Sequence, residues 1–302
     1  MKSALPWGAT QAIPIEEADV IILGIPFDGG VSNKKGAAEA PERLRELSRI
    51  LPLSTEEGAG FRGLKIHDDG NIIPSLDRPK YFEEINQRAY DLISYNQFCL
   101  FLGGDHSVGI PLESAFARVH AGENIGIIHL DAHCDLADEY DGRNWSHACT
   151  QRRALEIPNV KPENLTLAGI RSLMEDELEF LDNNPDICVI KAREIYLHGL
   201  TWTFEKIKER YLHCPAIYLS IDIDILDPAY APGTGTPEGG GLSTRELMEL
   251  IREIITHFPV KVVDVVEVSP PLDLSNITSW AALKVIYEIF GAIFNRKTGI
   301  IS

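Results

Sequence analysis

The segment Ile127-Ile128-His129-Leu130-Asp131-Ala132-His133-Cys134-Asp135 runs an apolar stretch into Asp-x-His-x-Asp. In an extended chain, residues two apart share a face. Asp131 and His133 then project together, and Asp135 can join them. Two carboxylates and an imidazole on one edge suit a divalent metal of intermediate hardness. The same grammar recurs at Tyr218-Leu219-Ser220-Ile221-Asp222-Ile223-Asp224, where Asp222 and Asp224 share a face at the end of another apolar run. A third piece, Phe101-Leu102-Gly103-Gly104-Asp105-His106, also leads from an apolar run into a loop. The three ends together offer four aspartates and two histidines. Four carboxylates gathered in an apolar-walled cleft repel one another and are costly to desolvate. One divalent ion neutralises half of that charge and two neutralise all of it, and six ligands with bridging carboxylates match the demand of two ions. A lone Asp-x-His-x-Asp is most often a solvated or helix-capping group. The joint occurrence of the three pieces is what points to metal.

The elements that must carry these residues are legible as short apolar runs: Val20–Ile25, Leu64–Ile66, Phe98–Leu102, Ile125–Leu130, Leu165–Ile170, Ile187–Ile190, Ala216–Ile223 and Val260–Val268. Most lack polar alternation, as expected of strands buried on both faces. Helical periodicity lies between them, near 41–49, 80–95, 109–120, 147–156, 174–183, 201–213, 243–257 and 275–292. Pro41 sits where a first helical turn tolerates proline, and Ser243 or Thr244 is a fitting N-cap. Alternating strands and helices predict an α/β fold with a mostly parallel sheet between helical layers. The long irregular stretches are 26–40, 50–63, 135–146 and 225–241, and three of them directly follow a strand. That is where an α/β fold places its site. Neither a linker nor a repeat is visible, so residues 1–302 are expected to form one domain.

The chain has 302 residues, with 28 Lys plus Arg against 45 Asp plus Glu, a formal net charge of −17. This balance opposes sequence-independent nucleic-acid binding and docking on an anionic membrane. It favours cationic ligands and metal ions. No apolar run is expected to span a bilayer, which needs ~20 residues, and Met1–Trp7 lacks the apolar core of a signal peptide. The expected location is cytoplasmic. The five cysteines, Cys99, Cys134, Cys149, Cys188 and Cys214, show no paired spacing and read as free thiols.

The sequence resembles the ureohydrolase family, which includes arginase and agmatinase, and within it looks closest to agmatinase. The resemblance runs from Gly24-Ile25-Pro26-Phe27-Asp28-Gly29-Gly30 to Glu267-Val268-Ser269-Pro270-Pro271. It includes Ala168-Gly169-Ile170-Arg171-Ser172 and the loop Asp227-Pro228-Ala229-Tyr230-Ala231-Pro232-Gly233-Thr234-Gly235-Thr236-Pro237-Glu238-Gly239-Gly240. The resemblance implies a three-layer αβα sandwich around a parallel eight-stranded sheet, two Mn²⁺ ions per chain, and a homo-oligomer, trimer or hexamer. It implies that His106, Asp131, Asp135 and Asp222 hold one ion. His133, Asp131, Asp222 and Asp224 would hold the other, with Asp131 and Asp222 bridging. A water bridging two such ions loses a proton near neutral pH and would attack the guanidino carbon, giving urea and an amine. His147 matches a histidine that the family keeps beside its metal ligands, and proton delivery is assigned to it because imidazole titrates near neutral pH. Glu267 matches the carboxylate that pairs with the guanidinium, a planar fork well suited to it. One departure is Ala148, where many members have glycine.

The substrate expectation is a small cationic guanidino compound, agmatine in the first place, giving putrescine. Where arginase carries an Asn that binds the amino acid's carboxylate, this chain has Ala137, followed by the acidic Asp138-Glu139-Tyr140-Asp141. Guanidinobutyrate and guanidinopropionate need a cation in the rim, which Arg143 or Arg152 could supply. Two readings of other classes are a single-zinc deacylase and a catalytically silent regulatory homologue. Outside the motif residues, His129 is expected to pack and hydrogen-bond rather than ligate. Cys134 is expected to pack, and Asp105 to orient its neighbours.

Overall fold

The computed structural model describes residues 5–8, 12–58, 60–211 and 213–299. Residues Met1–Ala4, at which the N-terminal reading begins, lie outside them. Eight strands form one parallel sheet: β1 (Val20–Gly24), β2 (Ile66–Asn71), β3 (Phe98–Leu102), β4 (Ile125–Leu130), β5 (Val160–Ile170), β6 (Cys188–Lys191), β7 (Ile217–Asp222) and β8 (Val260–Val266). Their spatial order is β2-β1-β3-β8-β7-β4-β5-β6. The residues of β1, β3, β4 and β7 are all buried, because helices cover both faces and each strand is apolar towards both. The helices are α1 (Ala40–Ser48), α2 (Arg78–Ile93), α3 (Gly109–Val119), α4 (Thr150–Ala154), α5 (Glu175–Asn183), α6 (Ala192–Tyr211), α7 (Thr244–His257) and α8 (Ile277–Thr298). One layer packs Leu44, Ile251 and Tyr287 on the sheet, and the other packs Ile85, Leu112 and Phe116. The expected three-layer αβα sandwich is the fold observed.

Several boundaries move for physical reasons. The second strand, expected at Leu64–Ile66, instead runs through His67, Asp68 and Asp69. It is an edge strand, and its carboxylates are paired by helices: Arg45 reaches Asp68 at 2.9 Å and Arg88 reaches Asp69 at 2.8 Å. Apolar patterning cannot reveal a strand stabilised in that way. Helix α6 starts well before residue 201, but Gly199 at φ 81° interrupts it, so the expected helix is its second part. The expected helix at 147–156 divides into a 3₁₀ turn, His147–Cys149, and α4. Ser243 caps α7 by accepting from the Glu246 N–H at 3.2 Å, with Glu246 reaching back to the Ser243 N–H, a reciprocal capping box. The segment Leu274–Thr298 is, against expectation, long and apolar enough to cross a membrane, but 72% of its most apolar stretch is buried inside the protein. It is a core helix: Tyr287 and Phe290 of α8 meet Phe61 edge-on at 5.1 and 5.7 Å.

The chain passes from β3 to β4 across two strand positions that β7 and β8 later fill. The C-terminal ends of β3, β8, β7 and β4 thus lie side by side. All three metal motifs and Glu267 leave the sheet from these four ends.

Candidate metal centre

The six expected ligands converge at this edge. His106 Nδ1 lies 3.1 Å from Asp131 Oδ2, 3.2 Å from Asp135 Oδ2 and 3.2 Å from Asp222 Oδ2. His133 Nδ1 lies 3.1 Å from Asp224 Oδ2 and 3.4 Å from Asp131 Oδ1. Two half-sites result, sharing Asp131, one oxygen towards each. His106 Nδ1, Asp131 Oδ2, Asp135 Oδ2 and Asp224 Oδ2 are buried atoms with no hydrogen-bond partner. Orphaned buried polar atoms are rare and call for an explanation. Here they are oxygens and an imidazole nitrogen aimed at common points, the donor set of a divalent cation. The residues present therefore fit a pair of such ions.

The local backbone achieves this differently from simple alternation. Strand β4 ends at Leu130, and Asp135 is in the left-handed region at φ 53°. The chain turns there, and the Gln151 and Arg152 N–H groups of α4 donate to the Asp135 carbonyl. Asp224 is not in a strand either. It sits in a 3₁₀ turn, Ile223–Ile225, capped by Asp222 Oδ1, which accepts from the Asp224 N–H at 2.8 Å. The Ala132 N–H then donates to Asp224 Oδ1 at 3.1 Å, tying the two motifs together. The shared-face argument thus fails for Asp135 and Asp224 in detail, although both carboxylates arrive where it placed them.

Protons follow the crowding. Burial alone would strip the charge from His106, but Asp131, Asp222 and Asp135 hold its pKa well above the usual value. His133 is pushed up to about 12 by Asp131 and Asp224, again against burial. Burial raises Asp135 to about 7, with the Asp131 charge adding to it. Asp222 and Asp224 are raised by burial and by neighbouring carboxylates. Asp131 alone moves down: burial opposes its charge, but His129, His106 and His133 outweigh that. The cluster thus retains protons that a bound cation displaces.

His129 packs and hydrogen-bonds as expected, closer to the centre than its position in the sequence suggested. Its ring stacks on His106 at 4.9 Å. Its Nε2 lies 3.2 Å from the His133 carbonyl and 3.0 Å from Asp131 Oδ2. A carbonyl only accepts, so this nitrogen carries a proton that the His133 carbonyl takes. Nδ1 takes the Gln151 amide N–H at 3.2 Å, and the same amide donates to Glu113 at 2.8 Å. Glu113 is buried and its pKa is raised to about 8 by burial. Sequence reasoning missed Glu113 and Gln151, whose signal is only that they are polar residues on the buried sides of helices.

The loop after β1 closes one side of the centre. Asp105 Oδ2 accepts from the Gly30 N–H at 2.6 Å, and the Gly30 carbonyl accepts from the His147 N–H at 3.1 Å. A Cβ on Gly30 would come within 2.5 Å of Ser107 Oγ, so glycine is required. His147 Nδ1 meets Glu267 Oε1 at 2.9 Å. Its Nε2 receives the Ser32 N–H at 3.1 Å and lies 2.9 Å from Ser32 Oγ. An N–H pointing at Nε2 leaves the proton of the neutral ring on Nδ1, towards Glu267. Burial would lower the His147 pKa, but Glu267 lifts it to about 9, with Asp135 and Asp105 adding to the rise. Glu267 is 1% exposed, its backbone is left-handed at φ 62°, Oε1 also accepts from the His106 N–H, and buried Oε2 has no partner. Ser32 was not foreseen; nothing marks one serine in a long loop. Cys134 is fully buried, as expected of a packing residue.

A cleft of about 170 Å³ opens onto the centre. His133, Asp135, His147, Asp222 and Asp224 line it, with Glu177 beside them. Neither Arg143 nor Arg152 does: Arg143 is exposed, and the Arg152 guanidinium lies 3.8 Å over the Phe180 ring.

Residues 18–291 match the model of a family described as the arginase family. The chain is 34% identical over 284 residues to an agmatinase of Bacillus anthracis, covering 91% of each chain. It is 32% identical over 279 residues to a guanidinobutyrase of Pseudomonas aeruginosa, covering 91% of this chain and 86% of the other. Among solved structures, the agmatine ureohydrolase of Thermoplasma volcanium superposes with a TM-score of 0.86 at 28% identity, over 96% of this chain and 94% of that one.

Proposed function

The chain belongs to the arginase family and is a ureohydrolase, and on that premise we propose that it hydrolyses agmatine to urea and putrescine with two Mn²⁺ ions. One observation carries the choice of substrate. Beyond the ligand carboxylates, whose charge the ions would offset, the cleft over the metal centre is lined by Glu177 and by no Lys or Arg among the described residues. A guanidino compound with a second positive charge fits such a lining, whereas a guanidino acid would need a cation that Arg143 and Arg152 do not place there. The likeness to a guanidinobutyrase makes guanidinobutyrate the second reading. Family membership displaces the single-zinc deacylase, and the complete set of ligand residues opposes a silent homologue.

In this reading His106, Asp131, Asp135 and Asp222 hold one ion, and His133, Asp131, Asp222 and Asp224 the other. When bound, the ions acidify water and neutralise developing negative charge. Glu267 uses Oε1 to fix His147 and offers Oε2 to the guanidinium, orienting the carbon to be attacked. Once Nε2 is freed from the Ser32 N–H, His147 takes up a second proton there, favoured by Glu267, and delivers it to the departing amine. That step exchanges the Ser32 N–H for the substrate. The cleft walls exclude bulk water from these transfers.

The test is urea release by Mn²⁺-loaded protein with agmatine, guanidinobutyrate, guanidinopropionate, arginine and guanidine. Agmatine is expected to lead by at least ~10-fold in kcat/KM, the scale of a single charge contact. A lead for guanidinobutyrate keeps the chemistry and overturns the charge argument. The single continuous sheet supports reading 1–302 as one domain. A cytoplasmic homo-oligomer, trimer or hexamer, without nucleic-acid or membrane partners, completes the proposal, and size-exclusion chromatography with light scattering tests its assembly.

A further inference from the structure

Three central, mostly apolar strands carry buried polar residues at the same level. His129 of β4 pairs with Ser220 of β7, and Ser220 pairs with Asp264 of β8. All three are 0% exposed. Partners in adjacent strands, and residues two apart along one strand, share a sheet face. The row therefore lies one step beneath Asp131 and Asp222, on the metal-facing side.

The hydrogen bonds of this row have forced directions. Asp264 Oδ1 accepts from the Ile221 N–H at 3.3 Å and lies 2.7 Å from Ser220 Oγ. An oxygen that accepts from an amide carries no proton of its own, so the serine hydroxyl donates to it. Asp264 Oδ2 accepts the Tyr218 hydroxyl at 2.6 Å, fixing the carboxylate. With its one proton spent, Ser220 Oγ can only accept from His106 Nε2, 2.8 Å away. The proton that an ion must displace from His106 is then the one on Nδ1, which faces Asp131, Asp135 and Asp222. We propose that Ser220 and Asp264 are positioning residues that hold His106 as the Nε2–H tautomer, so that Nδ1 is ready to ligate. The proposal rests on the two-metal reading. It assigns the pair to one half-site only, since the His133 ring nitrogens face Asp131, Asp224 and Glu238 rather than Ser220 or Asp264.

Equilibrium titration of metal-free protein with Mn²⁺ alone tests it, with circular dichroism confirming the fold of each variant. Wild type is expected to bind two ions. In Ser220→Ala one ion should bind as before, while the other weakens by ~10–100-fold, the usual effect of removing a group that orients a ligand. Asp264→Asn should be milder than Ser220→Ala, because the carboxamide oxygen it introduces can still accept from Ser220 while the amide nitrogen turns to the Tyr218 oxygen. Unchanged binding of both ions in Ser220→Ala overturns the proposal. Equal weakening of both ions overturns it too, since that marks a packing defect. Wild type binding no Mn²⁺ would overturn the two-metal reading and this proposal with it.

Discussion

His106 and His133 are the same kind of residue in two different settings. The His106 side chain is 1% exposed, stacked on His129 and anchored through Nε2 to Ser220 inside the sheet. The His133 side chain is 26% exposed and lines the cleft, with its Nε2 3.8 Å from the Glu238 carboxylate on the surface. One half-site is built into the interior and the other hangs from a loop. Rigid, hydrogen-bonded ligands lose less freedom on binding, so the His106 side should hold its ion and the His133 side exchange it.

Asp131→Ala breaks the comparison altogether, because one carboxylate serves both halves. Turnover should fall by at least ~10³-fold and bound metal from two ions to one or none, read by elemental analysis; two ions retained would disprove the sharing. His147→Ala should lower kcat by ~10²–10³-fold, the range for a positioned proton donor, with both ions still present. Metal loss in that variant would make His147 a ligand. Lowering the pH by one unit should weaken Mn²⁺ binding by ~10-fold for each proton released. The sign follows from His106 and His133, whose raised pKa values keep protons on the metal-free cluster that the ion must displace. Affinity independent of pH between 6 and 8 would contradict it. The smallest effect is kinetic: under a chelator, the two ions should leave in two phases differing by ~10-fold, the faster abolished by His133→Ala. A single phase would erase the distinction.

Much of this was legible in the sequence. Apolar runs placed the four strand ends, and each expected ligand lies at the centre. The alternation rule nevertheless gave the right neighbourhood through partly wrong geometry, since left-handed Asp135 and the 3₁₀ turn at Asp224 are set by hydrogen bonds to distant backbone. The same rule, applied from His129 to Asp131, puts both on one face and draws His129 towards the centre. Ser32, Gln151 and Glu113 were out of reach because their partners lie far away in the sequence. The extent of edge strand β2 was misplaced because arginines from α1 and α2, rather than apolar burial, accommodate its aspartates.

The buried row of His129, Ser220 and Asp264 also bears on how the sheet assembles. Strands made of Val, Ile and Leu are nearly interchangeable as neighbours, and sliding one past the next loses little apolar contact. A one-residue slip of β7 would turn Ser220 to the opposite face. His106 and Asp264 would then be left with buried, unpaired atoms, at ~1–3 kcal/mol each. The polar row thus penalises mispairing in the middle of the sheet, and the residues that aim a metal ligand also act as a key for the folding chain.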